Sequence, residues 1–274
     1  MKADLHMHST YSDGSLSVEE LFKEVKNAGL DVIALTDHDT IDGVEEMIKI
    51  GKTNNVLVIP ALELSTKENG ESIHVLGYFK SLDSISDDFK EYLKGMKTQR
   101  YNRLKRMTEL VNARYGLNVD FDEIAKKHPN MLERPHLADA IGEITGESRQ
   151  ECFKKYIGND SPCFINAANI SLKDGIKMIH DAGGLAVLAH PYSYKKNDHF
   201  NLIDMGVDGV EVFYGPTNPL NYYKYEKYSN KHGLFMTGGS DFHKFNDEKH
   251  SVVGTAPYES PYVEIFLKRI EELN

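Results

Sequence analysis

Histidines and carboxylates recur in this chain at spacings that suit metal ligation. In Asp4-Leu5-His6-Met7-His8-Ser9, His6 and His8 stand two apart. On a strand both imidazoles would point to one side, while Ala3, Leu5 and Met7 would face an apolar layer. Asp13 falls in the turn-forming cluster Tyr11-Ser12-Asp13-Gly14-Ser15. Further along, Asp37 and His38 follow the apolar run Val32-Ile33-Ala34-Leu35, and Glu63 follows Val56-Leu57-Val58-Ile59. His190 follows Leu185-Ala186-Val187-Leu188-Ala189, and Asp241 with His243 follows Leu234-Phe235-Met236-Thr237. His74 alternates with apolar neighbours in Ile73-His74-Val75-Leu76. A single such residue after a strand is an ordinary turn or cap. Recurrence along the whole chain points instead to one shared site at the carboxyl ends of strands. Mixed imidazole and carboxylate donors suit Mn, Fe or Zn, whereas Mg and Ca prefer oxygen and structural Zn usually brings Cys. Asp4, Asp37 and Asp39 stand beside these residues, where they could orient imidazole N–H groups or serve as caps.

Positioning such residues requires a regular scaffold. Ser17 and Glu20 form a capping-box signature, and the helix that follows runs to Gly29. A second helix is expected from Val44 to about Lys52, a capped helix from Ser171 to Asp181, and a strand over Gly209-Val210-Glu211-Val212-Phe213. Seven strands are expected in all. From about Leu82 to Ile165 the alternation of strand and helix breaks. That stretch reads as helices: a long one from about Asp87 to Arg114, and shorter ones near Phe121, Pro135 and Arg149. An α/β domain over residues 1–81 and 166–274, with a helical insertion over 82–165, is the expected organisation.

A chain of 274 residues with 40% hydrophobic content can bury a large core. Its formal net charge of -10 argues against broad binding to nucleic acid through a basic surface. Cys152 and Cys163 lack metal-type spacing and read as reduced thiols. No apolar run reaches the roughly 18 residues that a membrane span needs, so a cytoplasmic protein is expected.

The segments Asp4-Leu5-His6-Met7-His8-Ser9, Thr36-Asp37-His38-Asp39, Ala189-His190-Pro191 and Gly239-Ser240-Asp241-Phe242-His243 resemble, in order, the four motifs of the polymerase and histidinol phosphatase (PHP) family of metal-dependent phosphoesterases. The resemblance implies a distorted seven-stranded (β/α) barrel with an inserted all-helical subdomain. It implies two or three divalent ions: one held by His6, His8, Glu63 and Asp241, a second by Asp13, His38 and His243, and a third by Glu63, His74 and His190. Such a cluster would deprotonate water near neutral pH and neutralise charge on phosphoryl oxygens, with no protein nucleophile. The ions would also make the mouth attractive to anions despite the acidic chain.

The insertion is expected to choose the substrate. Phe89, Leu93, Met96, Leu104, Met107 and Val111 form an apolar stripe on the long helix, and Arg100 falls on that stripe, where a charge requires a partner. Arg103 is adjacent, and the two read as a phosphate clamp, or, for Arg103, as part of a solvated basic face. In Glu133-Arg134-Pro135-His136, proline at a helix start places Arg134 and His136 near an N-terminus suited to anions. The subgroup most similar to this chain, nucleotide phosphatases with such an insertion, implies that Arg134 and His136 contact the substrate phosphate. His136 is also a candidate acid for the leaving oxygen. His128, His180, His199, His232 and His250 read as surface or packing residues. The expected partner is a small phosphorylated metabolite, a nucleoside 5′-monophosphate or 3′,5′-bisphosphate or short oligonucleotides, without a stable nucleic-acid complex. Histidinol-phosphate phosphatase is the alternative enzyme, and a non-catalytic metal-binding or regulatory module the alternative of another class.

Overall fold

The computed structural model describes residues 1–165, 170–215, 219–246 and 251–273. The chain divides into two compact units, Met1–Tyr92 with Ala168–Asn274, and Leu93–Ala167. Strands β1 (Ala3–Asp4), β2 (Val32–Leu35), β3 (Leu57–Glu68), β4 (Glu71–Tyr78), β5 (Leu185–Leu188), β6 (Gly209–Tyr214) and β7 (Phe235–Gly239) belong to the first unit. The helices in chain order are α1 (Val18–Ala28), α2 (Val44–Thr53), α3 (Asp87–Tyr115), α4 (Phe121–Lys127), α5 (Arg134–Thr145), α6 (Arg149–Cys152), α7 (Leu172–Asp181), α8 (His199–Ile203), α9 (Pro219–His232) and α10 (Tyr262–Glu271).

In the first unit the seven strands lie in sequence order within one sheet. Its two edges meet. Leu5 donates to Gly238 O at 3.0 Å, and Met7 bridges Phe242 in parallel. The sheet is thereby nearly closed into the expected barrel. Local sequence explains the flanking layer. The capping box holds the start of α1, with Ser17 N–H donating to Glu20 Oε2 at 2.9 Å, and Gly29 ends the helix in a left-handed conformation, φ 65°. The helix is thereby placed so that Leu21, Phe22 and Val25 bury against Met7, Ile33, Leu35 and Met47.

The third and fourth strands depart from the expectation. β3 does not end before Glu63 but continues to Glu68, and the chain reverses at Asn69 and Gly70, both at positive φ, to pair antiparallel with β4. Pro60 marks the exchange of partners: it closes the parallel register with Leu35, and Ala61 opens the antiparallel register with Tyr78. β4 is also antiparallel to β5, whereas the remaining pairs are parallel. Because β4 runs backwards, its first half lies at the end where the parallel strands finish. His74 therefore reaches that end from within a strand. His6 and His8 also differ from the expectation, since β1 stops at Asp4 and both lie just beyond it.

The second unit is helical. Leu104, Met107 and Val111 of α3 bury against Phe121 and Ile124 of α4, Leu137 and Ile141 of α5, and Cys152, Tyr156, Ile157 and Cys163. Both cysteines are free and packed as small apolar groups. Among the described residues no helix is long and apolar enough to cross a membrane.

Candidate metal centre

The barrel unit brings His6, His8, Asp13, His38, Glu63, His74, His190, Asp241 and His243 into one chain of contacts no longer than 4.0 Å. Glu63 stands at its centre, with Oε2 3.3 Å from His6 Nε2, 3.2 Å from His8 Nε2 and 3.1 Å from His38 Nδ1. Its Oε1 meets His74 Nδ1 at 2.8 Å and His190 Nε2 at 3.0 Å. Asp241 Oδ1 lies 3.2 Å from both His6 Nε2 and His8 Nε2. Asp13 Oδ1 lies 3.2 Å from His243 Nε2.

Several of these atoms are in an otherwise costly state. His6 Nε2, His8 Nε2, Asp13 Oδ1, His38 Nδ1 and Glu63 Oε2 are buried and make no hydrogen bond. A native fold rarely leaves buried polar atoms unpaired, and a cation is one of the partners that removes the penalty. The donor set fits divalent ions. Ligand atoms of His6, His8, Glu63 and Asp241 lie within 4.8 Å of one another, as do those of His8, Asp13, His38 and His243, and those of His38, Glu63 and His74. The group around His74 thus draws in His38, while His190 reaches the cluster through Glu63 Oε1.

Acid–base properties follow from crowding. Burial opposes charge on His8, but Asp241 and Glu63 outweigh it and hold the imidazole up at about 10. Burial dominates at His38 and pushes it down to about 3 in spite of Glu63 and Asp13. Burial alone would raise Asp13 and Glu63, yet the surrounding imidazoles hold both carboxyls well below their ordinary range. In this cluster protons occupy positions that a cation would take.

The supporting contacts favour the second of the two roles expected of Asp4, Asp37 and Asp39. Asp4 accepts backbone N–H groups from Ser240 at 3.0 Å and Gly254 at 2.8 Å, and Asp37 accepts from Ser9 N–H and from the hydroxyls of Ser9 and Ser12. Asp39 accepts from Ser65 N–H. These contacts tie loops together, and imidazoles find other partners. His6 Nδ1 meets Glu211 Oε1 at 2.9 Å, His190 Nδ1 meets Ser193 Oγ at 3.0 Å, and His243 Nδ1 donates to the carbonyl two residues back, Asp241 O, at 2.8 Å. Glu211 was not singled out from sequence. Its signal was a carboxylate between Val210 and Val212 on a strand buried throughout, which demands a partner. Three residues at strand ends, Asp39, His190 and Asp241, hold positive φ, a backbone cost often found at functional sites.

The helical unit gathers the basic candidates. Arg100 is 3% exposed on the apolar stripe and pairs with Glu133 through Nη1 and Oε1. Arg103 is also buried, so it does not belong to a solvated face, and its Nε donates to Ile165 O at 2.7 Å. Arg134 lies over the rings of Phe164 and Phe153, at 5.1 and 5.5 Å, and donates to Asn159 Oδ1 at 2.8 Å. Burial and the charge of Arg100 lower its guanidinium to about 10. Glu133 N–H donates to His136 Nδ1 at 3.1 Å, and the His136 ring stacks on His128, centroids 3.8 Å apart. Of the other histidines, His180 pairs with Asp208, His199 with Tyr225, and His232 stacks on Tyr228; His250 lies outside the described residues.

The PHP domain family matches residues 4–156. A 5′-3′ exoribonuclease of Haemophilus influenzae is 30% identical over 251 residues, 88% of this chain and 90% of the relative. A 3′,5′-nucleoside bisphosphate phosphatase of Chromobacterium violaceum is 28% identical, covering 88% of this chain and 86% of the relative. The solved structure of a Chromobacterium violaceum amidohydrolase with bound sulfate superposes with a TM-score of 0.84 at 25% identity, over 98% of this chain and 97% of that one. Fold, cluster and relatives define the class, a metal-dependent hydrolase acting on phosphate esters. The chain belongs to the PHP domain family.

Proposed function

We propose that the protein hydrolyses a phosphate monoester of a small metabolite, a nucleoside 5′-monophosphate or 3′,5′-bisphosphate, with short oligonucleotides as further substrates. The observation that carries this reading is the group of buried, unpaired nitrogen and oxygen atoms that surround Glu63. His6, His8, Glu63 and Asp241 would hold one ion, Asp13, His38 and His243 a second, and His74 and His190 a third together with Glu63. Bound divalent Mn, Fe or Zn would supply Lewis acidity toward phosphoryl oxygens and lower the pKa of water. Glu63 uses both carboxylate oxygens and so links the groups. The activities named for the Haemophilus and Chromobacterium relatives, an exoribonuclease and a nucleoside bisphosphate phosphatase, support a nucleotide over histidinol phosphate.

In the same reading Arg100, Arg103 and Arg134 provide positive charge for substrate phosphate, and His136 contacts that phosphate and protonates the leaving oxygen. Two features support these roles. The rings of Phe153 and Phe164 hold the Arg134 guanidinium in place at little entropic cost. In neutral His136, Nδ1 accepts from Glu133 N–H, so the ring proton resides on Nε2, where it can be donated. Release of phosphate from a panel of nucleoside 5′-monophosphates, 3′,5′-bisphosphates and histidinol phosphate, and of nucleotides from short oligonucleotides, with added Mn²⁺, tests the reading. The nucleotides are expected to be hydrolysed fastest. Faster release from histidinol phosphate would reverse the substrate assignment, and no release from any substrate would leave a metal-binding module.

A further inference from the structure

Glu211 is 0% exposed, in the middle of β6, and uses its two oxygens on two different partners. Oε1 meets His6 Nδ1 at 2.9 Å, and Oε2 accepts the backbone N–H of His190 at 2.7 Å. His6 turns its other nitrogen, Nε2, toward Glu63 and Asp241 at 3.3 and 3.2 Å. His190 holds a strained backbone at φ 27° while its Nε2 reaches Glu63 Oε1 at 3.0 Å. We infer that Glu211 is a positioning residue for the metal centre: it fixes the His6 tautomer that presents Nε2 to a cation, and pins His190 in the backbone conformation that aims its ring at Glu63. This inference rests on the reading of the cluster as a metal centre.

The argument turns on counting donors and acceptors. A neutral imidazole carries one ring proton, and if Nε2 is to offer its lone pair, that proton must sit on Nδ1 and find an acceptor. The His190 N–H is a second donor. Both therefore need acceptors, in a place that water does not reach. A carboxylate is the side chain that offers two acceptor oxygens in one plane; glutamine, of the same shape, offers one acceptor and one donor. In Glu211→Gln the amide NH₂ must face either His190 N–H, donor against donor, or His6 Nδ1. The second choice pulls the ring proton onto Nε2 and removes the ligand. Shape alone would make glutamine harmless, whereas the acceptor count makes it nearly as damaging as alanine.

The test measures metal rather than turnover. The metal-free full-length chain and its Glu211→Gln and Glu211→Ala variants are titrated with Co²⁺, followed by visible absorption and by competition with a chelator of known affinity. Both variants are expected to bind at least one ion about 10- to 100-fold more weakly, the usual effect of losing such a support. Phosphatase activity should return as Mn²⁺ is raised. A Glu211→Gln protein that binds Co²⁺ as tightly as the parent overturns the inference. If the variants do not fold, ring ¹⁵N shifts of the Zn²⁺-loaded parent decide it: His6 should carry its proton on Nδ1, and a proton on Nε2 overturns the assignment. A parent chain that binds Co²⁺ but hydrolyses no phosphate ester would remove the proposed function and leave this inference standing.

Discussion

The phenol of Tyr214 donates to Asp241 Oδ2 at 3.0 Å, whereas His6 and His8 approach the other oxygen, Oδ1. β6 ends at Tyr214 and Asp241 follows β7, so the contact joins neighbouring strands at the site end of the sheet. Burial and Asp241 both raise the phenol far above its ordinary range, so it remains a donor at any working pH. Tyr214→Phe keeps the ring and loses the donor. Mn²⁺ affinity is expected to fall about tenfold, equivalent to about 1.4 kcal/mol, near the low end for a hydrogen bond to a charged group. Chelator-buffered titration measures this, and unchanged affinity would show that the Tyr214 hydrogen bond does not hold Asp241 in place.

Metal binding should strengthen as pH rises. His8 sits at about 10 in the metal-free cluster, so it holds a proton at pH 7 that a cation must displace. His38, already neutral because burial lowers it to about 3, has no proton to give up, and neither does the Asp13 carboxylate. Each displaced proton makes affinity rise tenfold per pH unit below the raised pKa. His8 alone predicts about a hundredfold gain from pH 6 to pH 8. Titrations at pH 6, 7 and 8 test the sign; a flat profile would mean that no ligand loses a proton on binding.

Gly239 is a point of close backbone approach. A Cβ there would lie 2.4 Å from His6 Cβ and 2.6 Å from His6 N, too close for either to remain. Gly239→Ala should therefore shift His6 and reduce metal content, beyond the 1–3 kcal/mol of stability that overpacking usually costs. Inductively coupled plasma analysis beside thermal unfolding separates the two effects. Full metal content would show that β7 yields instead.

His136→Gln tests the proposed acid. With metal content retained, turnover on substrates with poor leaving groups should fall by about 10²-fold or more, while p-nitrophenyl phosphate, whose leaving group needs no proton, should lose far less. Equal losses on both would assign His136 to binding.

Part of the centre could be read from the chain because several donors follow distinct apolar runs. His38, His190 and Asp241 come after β2, β5 and β7 within a few residues. The context of Glu63 was harder to read. Pro60 looks like a strand terminator, yet here it stands where β3 exchanges one neighbour for another, a position at which the missing N–H costs little. Asn69-Gly70 is a tight hairpin signal in the sequence, and this turn sends β4 backwards. Glu211 was missed for a different reason. Its role depends on His6 and His190, residues far away in the chain, and no local pattern reveals which distant donors a buried carboxylate will meet.

Asp4 ties its own strand to Ser240 and Gly254, while His6 and Asp241 face each other across the seam where the first and last strands join. Catalytic competence is therefore withheld during synthesis. A polypeptide emerging from the ribosome has no complete set of donors until the final strand arrives. Incomplete products thus lack Asp241 and His243, and with them the closing donors of two of the candidate ion groups.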